Sequence, residues 1–351
     1  MLISRGRPTP FLDENGRPLP GSISEKSFVT INGVRQGMFV RGKNVKNPVL
    51  LYLHGGLPEY FLNERYPISF ERDFTVVWWE QRGAGLSYSP GIPRDTITVE
   101  QLISDTLRLT DYLQHRFGKL KIYLMAHSGG SFFGLQAAAR AANLYYAYVG
   151  IAQMVNQLES ERLSYEYMLD RFRQAGNSRM VRKLEAASVS LNGGTPDAYL
   201  ALRDRAMHSL GIGTTRDIKS VVRGIILPSL KSPQYTLPEK VNMWRGKFSS
   251  GVSALWNEML TTNLAETLTE LALPAYFLHG VYDYTCSYTL SKSYFEQLKA
   301  PLKGFYTFDR SAHSPILEEP EKAGRILRDD VLAGVNNLAD QAPDGPGSAN
   351  R

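Results

Sequence analysis

The chain has one cysteine in 351 residues, Cys286, which rules out an intramolecular disulfide and any zinc site built from clustered thiolates. No apolar stretch reaches the ~18 residues of a membrane span; the best candidate is interrupted by Arg140 and Asn143. The opening MLISRGRPTP lacks the apolar core of a secretory signal, so a soluble, cytoplasmic protein with no membrane partner is expected. Charge of one sign is scarce as well. The 40 Lys and Arg against 34 Asp and Glu leave only +6, without a long basic run, which argues against nucleic acid as a partner. There is no phosphate-binding glycine loop, no His/Asp cluster at metal-ligand spacing and no internal repeat, so neither cofactor nor metal is expected. What remains is globular. With 43% hydrophobic and 21% charged residues, the length suits one large domain with an insertion, or two ordinary ones.

Residues 1–23, rich in Pro and Gly, read as an irregular extension. SEKSFVTI and VRQGMFVRG then alternate around Asn32-Gly33, the dipeptide of a tight hairpin. PVLLYLHGG, FTVVWWEQRG, KIYLMA and YYAYVGIAQ are apolar runs of strands covered on both faces. Between them, Thr98 to Phe117 has helical spacing, with Val99, Leu102, Ile103, Thr106, Leu107, Thr110 and Leu113 on one face and a capping box at Thr98 and Gln101. Strand–helix alternation of this kind predicts an α/β fold with a mostly parallel sheet flanked by helices. From 157 to 265 charged amphipathic helices replace it, then LPAYFLHGVYDY, SYTLSKSYFEQL and GFYTFDRS restore it, followed by a helix over EEPEKAGRILRDDVLAGV. The expected organisation is a core of 24–156 and 266–337, a helical cap at 157–265 and a disordered tail at 338–351.

The stretch KIYLMAHSGGSFFG holds two serines, and the register of a strand–turn–helix elbow separates them. Ser128 follows the strand directly inside AHSGG, where small residues on both sides permit a tight turn; Ser131 would need Phe133 at a small position and already lies within the helix. Ser128 is therefore the candidate nucleophile and Ser131 a packing residue. A serine needs a base and a group that orients the base. Asp283 emerges after PAYFLHG, and of the six histidines only His313, past GFYTF, follows both from a strand end. Backbone amides of Gly56, in the HGG turn, and Gly129, heading the helix after Ser128, are the candidate oxyanion hole. The six histidines include His54 and His127, assigned to their loops, while Cys286 is assigned to packing.

From Ser24 to Val335 the blocks LYLHGG, VVWWEQRGAGLSYSP, YLMAHSGGSFFG, FLHGVYDYTCSY and SAHSPILEEPEK together resemble the α/β-hydrolase superfamily, and within it the proline iminopeptidase-like branch. The resemblance implies an α/β-hydrolase fold with an inserted helical cap. It implies a cofactor-independent serine hydrolase that cleaves an ester or amide of a small molecule or short peptide through an acyl-enzyme. It further implies that Glu80, Gln81 and Arg82 buttress the HGG loop, and that cap glutamates, here Glu159, Glu161 and Glu166, bind a substrate amino group. Two departures stand out. HGGLPEYF replaces the usual H-G-G-P-G, and AHSGG replaces the G-G-S-W-G elbow of iminopeptidases, a form commoner among esterases. Aminopeptidase and carboxylesterase thus both remain open, beside a ligand-binding protein that has lost turnover.

Overall fold

The computed structural model describes residues 4–250 and 254–341. Strands β1 (Ile23–Ile31) and β2 (Val34–Gly42) form the hairpin, with Asn32 and Gly33 both at positive φ, 45° and 75°. Two positive φ values in succession give the turn that matches the twist of the strands. Then come β3 (Val49–Leu53), β4 (Thr75–Glu80), β5 (Ile122–His127), β6 (Tyr145–Ile151), β7 (Ala275–Gly280) and β8 (Lys303–Phe308). They assemble into one sheet of order β1-β2-β4-β3-β5-β6-β7-β8, with β2 antiparallel to both its neighbours and every other pair from β4 to β8 parallel.

Because successive side chains point to opposite faces, each central strand feeds two cores. Val49, Leu51, Leu53, Leu124 and Ala126 pack on one side, while Leu50, Tyr52, Tyr123 and Met125 pack on the other. The first core is closed by α1 (Val99–Phe117) and α2 (Gly129–Arg140). Thr98 caps α1 by accepting the Gln101 amide at 3.1 Å, and Gly118 ends it in the left-handed conformation at φ 60°. On its buried face Leu109 replaces Leu107, which is only partly buried.

Between β6 and β7 the described chain is helical: α3 (Gln157–Gln174), α4 (Ser178–Glu185), α5 (Asp197–Leu210), α6 (Leu227–Lys231), α7 (Leu237–Ser250), α8 (Ala254–Thr261) and α9 (Leu264–Thr267). Met168, Phe172, Leu184, Tyr199 and Met207 give this segment a core of its own. It rests on the carboxyl ends of the strands. Gln157 donates to the Thr285 carbonyl at 3.0 Å, the Ser287 amide donates to Ser160 at 3.1 Å, and Tyr167 stacks on Tyr284 at 4.0 Å.

Two boundaries differ from expectation. The C-terminal helix expected over 318–335 starts only at α12 (Pro320–Ile326), continued by a π-helical turn over Leu327–Val331 and set off from the short α11 (Pro315–Glu318) that follows α10 (Tyr288–Gln297), because Pro320 drives Glu319 out of helical geometry to φ −128°, ψ 60°. The expected tail starts too early at 338: the Leu338 amide donates to Asp330 at 2.8 Å and the Asp340 amide to the Phe305 carbonyl at 2.8 Å, whereas 342–351 lie outside the described residues.

One buried charge joins the antiparallel hairpin to the parallel sheet. Asp105 of α1 receives Arg82 through two hydrogen bonds of 2.7 and 2.9 Å, Asn32 at 2.7 Å, Gln36 at 2.8 Å and Gln101 at 2.8 Å. Arg82 and Asp105 are both buried. Asp105→Ala should therefore strand the Arg82 guanidinium and lower stability by about 3–5 kcal/mol in urea denaturation. A loss under about 1 kcal/mol would show that water replaces the carboxylate without penalty.

Candidate active site

At the end of β5 the chain turns into α2 through Ser128, whose φ of 54° and ψ of −128° are unfavourable for a residue with a side chain. Such a conformation costs roughly 1–3 kcal/mol and persists only where neighbours enforce it. They do. The Ser128 amide donates to the Ile151 carbonyl at 3.0 Å, and the Ser131 amide and hydroxyl both donate to the Ser128 carbonyl, at 2.8 and 2.5 Å. The buried Ser131 hydroxyl in turn accepts the Met154 amide at 2.9 Å, so Ser131 is a strut of the turn. Backbone closeness explains the small residues. A Cβ on Gly130 would lie 2.4 Å from the His54 carbonyl oxygen, and one on Gly134 would lie 2.8 Å from the Ala126 Cβ.

Asp283 follows β7 and His313 follows β8, and the structure brings them together with Asp283 Oδ2 accepting from His313 Nδ1 at 2.9 Å. The carboxylate is saturated. Oδ1 accepts the Thr285 and Cys286 amides at 2.8 and 3.0 Å, and Oδ2 also lies 3.1 Å from His279 Nε2. Burial alone would raise its pKa, but the His313 imidazole and the hydrogen bonds from His279 and His313 hold it well below the usual carboxylate range. For His313 burial is the largest influence and lowers its pKa, Asp283 works the other way, and the balance leaves it below 6.5. Beside them, the Cys286 Sγ lies 3.8 Å from Gln157 Oε1, and burial pushes the thiol pKa well up, so it stays protonated.

The HGG loop lies against the elbow. Gly55 is the residue pressed onto Ser128, since a Cβ there would stand 2.7 Å from the Ser128 Cβ, while Gly56 is exposed. Gly129 heads α2, where helix amides have no internal acceptor, and faces Met259 of α8. His54 is neutral because burial lowers its pKa to about 4; its Nδ1–H donates to the Gly55 carbonyl at 2.7 Å and its Nε2 accepts the Gln81 amide at 3.3 Å. Gln81 also donates to the His54 carbonyl at 2.9 Å, so of the three expected buttresses it alone bonds the loop. Glu80 instead accepts the Leu86 amide and the Tyr235 hydroxyl from the helical segment, with burial raising its pKa to about 7, and Arg82 belongs to Asp105.

The three glutamates on α3 already have partners. Arg162 engages Glu159 at 2.6 Å and Glu166 at 2.5 Å. Glu161 is fully buried, with Arg203 at 2.6 Å, the Tyr199 hydroxyl at 2.8 Å and Gln157 at 2.7 Å. Sequence reasoning missed two groups at the site: His279, which lies beside the acid, and Glu59, which pairs with His127 at 2.8 Å. For Glu59 the signal was present, in the loop's departure at LPE. For His279 there was none, because on a strand it read as one more buried residue. Among the described residues no group of three or more His, Cys, Asp or Glu could hold a metal ion, and no helix is long and apolar enough to cross a membrane.

Residues 69–204 match the family described as serine aminopeptidase, S33. The chain is 31% identical over 318 residues to the probable aminopeptidase YbaC of Bacillus subtilis, covering 88% of this chain and 97% of that one. In fold it is similar to a proline iminopeptidase-related protein of Thermus thermophilus, with a TM-score of 0.59 at 19% identity over 89% of this chain and 98% of that one. It is likewise similar to the esterase RhEst1 of Rhodococcus sp. ECU1013, with a TM-score of 0.54 at 17% identity over 89% and 99%. With 31% identity along nearly the whole of both sequences, this chain is a member of the α/β-hydrolase superfamily and of its serine hydrolases.

Proposed function

We propose that the chain hydrolyses an ester or amide through a Ser128–His313–Asp283 triad and a covalent acyl-enzyme. The observations that carry this reading are the pairing of His313 Nδ1 with a fully hydrogen-bonded Asp283 and the strained strand–helix elbow at Ser128. Neutral His313 takes the Ser128 proton through Nε2 as Oγ attacks the carbonyl carbon. The amides of Gly56 and Gly129 receive the oxyanion, and the imidazolium then protonates the departing alcohol or amine. Water repeats the sequence on the acyl-serine and releases the acid. Asp283 holds the imidazole with Nδ1 protonated throughout, so that Nε2 is free to accept.

The substrate is a small molecule or short peptide that enters beneath the helical segment. The resemblance to aminopeptidases favours an N-terminal aminoacyl or prolyl bond. A second reading, carboxylesterase, is supported by the α3 glutamates, whose carboxylates are engaged by Arg162 and Arg203 and not held ready for a substrate ammonium. Parallel assays with p-nitrophenyl esters and prolyl or other aminoacyl p-nitroanilides decide between them.

A fluorophosphonate should label Ser128 in the parent and nothing in Ser128→Ala, whose kcat should fall by about 10⁴ or more. Ser131→Ala should keep kcat within about tenfold while losing about 1–2 kcal/mol of stability through the freed Met154 amide. Reversal of the two effects would place the nucleophile at 131.

The pH dependence has a defined sign. His313 works when neutral, and its pKa is lowered, so kcat/KM should rise with pH through one ionisation whose midpoint lies below the ordinary 6.5. Asp283→Asn should lower kcat by about 10⁴, by allowing the wrong tautomer, while Cys286→Ala should change neither rate nor profile. A flat profile from pH 5 to 9, or near-parental activity in Asp283→Asn, contradicts the triad.

A further inference from the structure

Directly behind His313 lies a pair of ionisable groups that the mechanism above does not use. Glu59, from the loop after β3, places Oε2 2.8 Å from His127 Nδ1 and accepts the Tyr52 hydroxyl on the same oxygen at 2.6 Å. The other nitrogen of His127, Nε2, lies 2.8 Å from the main-chain carbonyl oxygen of His313. The two imidazole rings are 4.7 Å apart between centroids. His127 is 1% exposed and Glu59 14% exposed in their side chains, so water does not replace these contacts.

Geometry and charge together define the state of the His127 ring. Both of its nitrogens face an oxygen, one a carboxylate and the other a carbonyl. A neutral imidazole has a single N–H and would turn a lone pair toward one of the two. With Glu59 ionised, only the doubly protonated ring satisfies both; a neutral ring would require the proton to sit on Glu59 instead. Burial works against charge on each group, yet their attraction prevails in both directions: His127 ends above its ordinary pKa and Glu59 below its own.

We propose that Glu59 and His127 form a buried ion pair that positions the base: its Nε2–H pins the main chain of His313, and its positive charge keeps the His313 side chain in the neutral, proton-accepting form. This rests on the Ser128–His313–Asp283 reading. The arrangement answers a conflict within the triad. Asp283, 2.9 Å away, orients His313 but also favours its protonation, and a cation 4.7 Å from the ring centre offsets that pull without loosening the hydrogen bond. Glu59 itself favours protonation of His313, though less than His127 opposes it, and the remaining charged or titratable neighbours do not supply this balance. His279 is spent on Asp283 and the Cys286 carbonyl, Cys286 is a neutral thiol, His54 is neutral in its loop, and Lys247 of α7 stands at the Gly56 side of that loop. On the cap side His313 meets a backbone carbonyl, that of Gly213, at 3.3 Å. Glu59 lies in the segment where this chain departs from H-G-G-P-G, so the departure installs a carboxylate under the base.

The test reads phosphonylation of Ser128 by a fluorophosphonate against pH, which requires no knowledge of the substrate. In His127→Gln the acid limb of the second-order rate should move up by about one pH unit and the plateau should fall about tenfold or more. Glu59→Gln, which neutralises the pair, should move the limb the same way by less. In the unsubstituted protein, ¹⁵N NMR should show the His127 ring doubly protonated at pH 8. A neutral ring at pH 8 overturns the proposal even if no variant folds. Unmoved limbs in both variants, with only a lowered Tm, show a merely structural pair and also overturn it. Absence of Ser128 labelling in the parent is a different result, and it removes the triad itself.

Discussion

The carbonyl of Ser128 receives both the amide and the hydroxyl of Ser131, and this clasp holds residue 128 at a positive φ. The remainder of the site is fitted around that strained residue. Because the turn is tight, α2 starts close enough to β3 for Gly130 to touch the carbonyls of Leu53 and His54. That contact carries the HGG loop over the serine, with Gly55 against its Cβ. A looser turn would let the Ser128 side chain drift from the Gly55 backbone that presses on it. The strain is the cost of presenting one side chain at the edge of a sheet that is otherwise packed on both faces.

Around this edge the protein concentrates buried ionisable groups, and each is matched to a partner. Asp283 is held by four donors, His54 is kept neutral between Gly55 and Gln81, and His127 is bridged between Glu59 and the His313 backbone. In a low-dielectric site an unmatched charge is expensive, so each pairing also fixes a geometry. Two ionisable groups therefore contact His313, Asp283 at its Nδ1 and the His127 ring 4.7 Å from its own.

The helical segment adds a second layer of constraint. It binds the acid loop through Gln157 and Ser160, and it touches the His313 loop through the Gly213 carbonyl and the Arg216 amide, which donates to Glu318 at 2.6 Å. It also reaches the opposite side of the sheet edge through Tyr235 and Glu80. Glu318 itself is buried enough that its pKa rises to about 7, and it accepts the Ala312 amide, so the segment and the loop of the base share one carboxylate. The helices of this segment and the loops that carry Asp283 and His313 are thus parts of one hydrogen-bonded structure.

Local chemistry made much of this legible in advance. The Asn32-Gly33 turn, the Thr98 cap, the apolar strands and the place of Ser128 after β5 all follow from short-range rules of turn, cap and periodicity, and the structure has them at those residues. The order Ser128, Asp283, His313 was readable because each stands just past a strand. What the sequence could not decide was pairing at a distance. Glu59 and His127 are separated by 68 residues, Arg82 and Asp105 by 23, and Glu161 and Arg203 by 42. A charged residue carries no local mark of whether it will face water or a buried partner. The sequence by itself determined the elements and the strand ends at which reactive groups emerge, because those depend on neighbours along the chain. Only the tertiary structure decided which charges meet, because desolvation and attraction act between segments that the fold alone brings together.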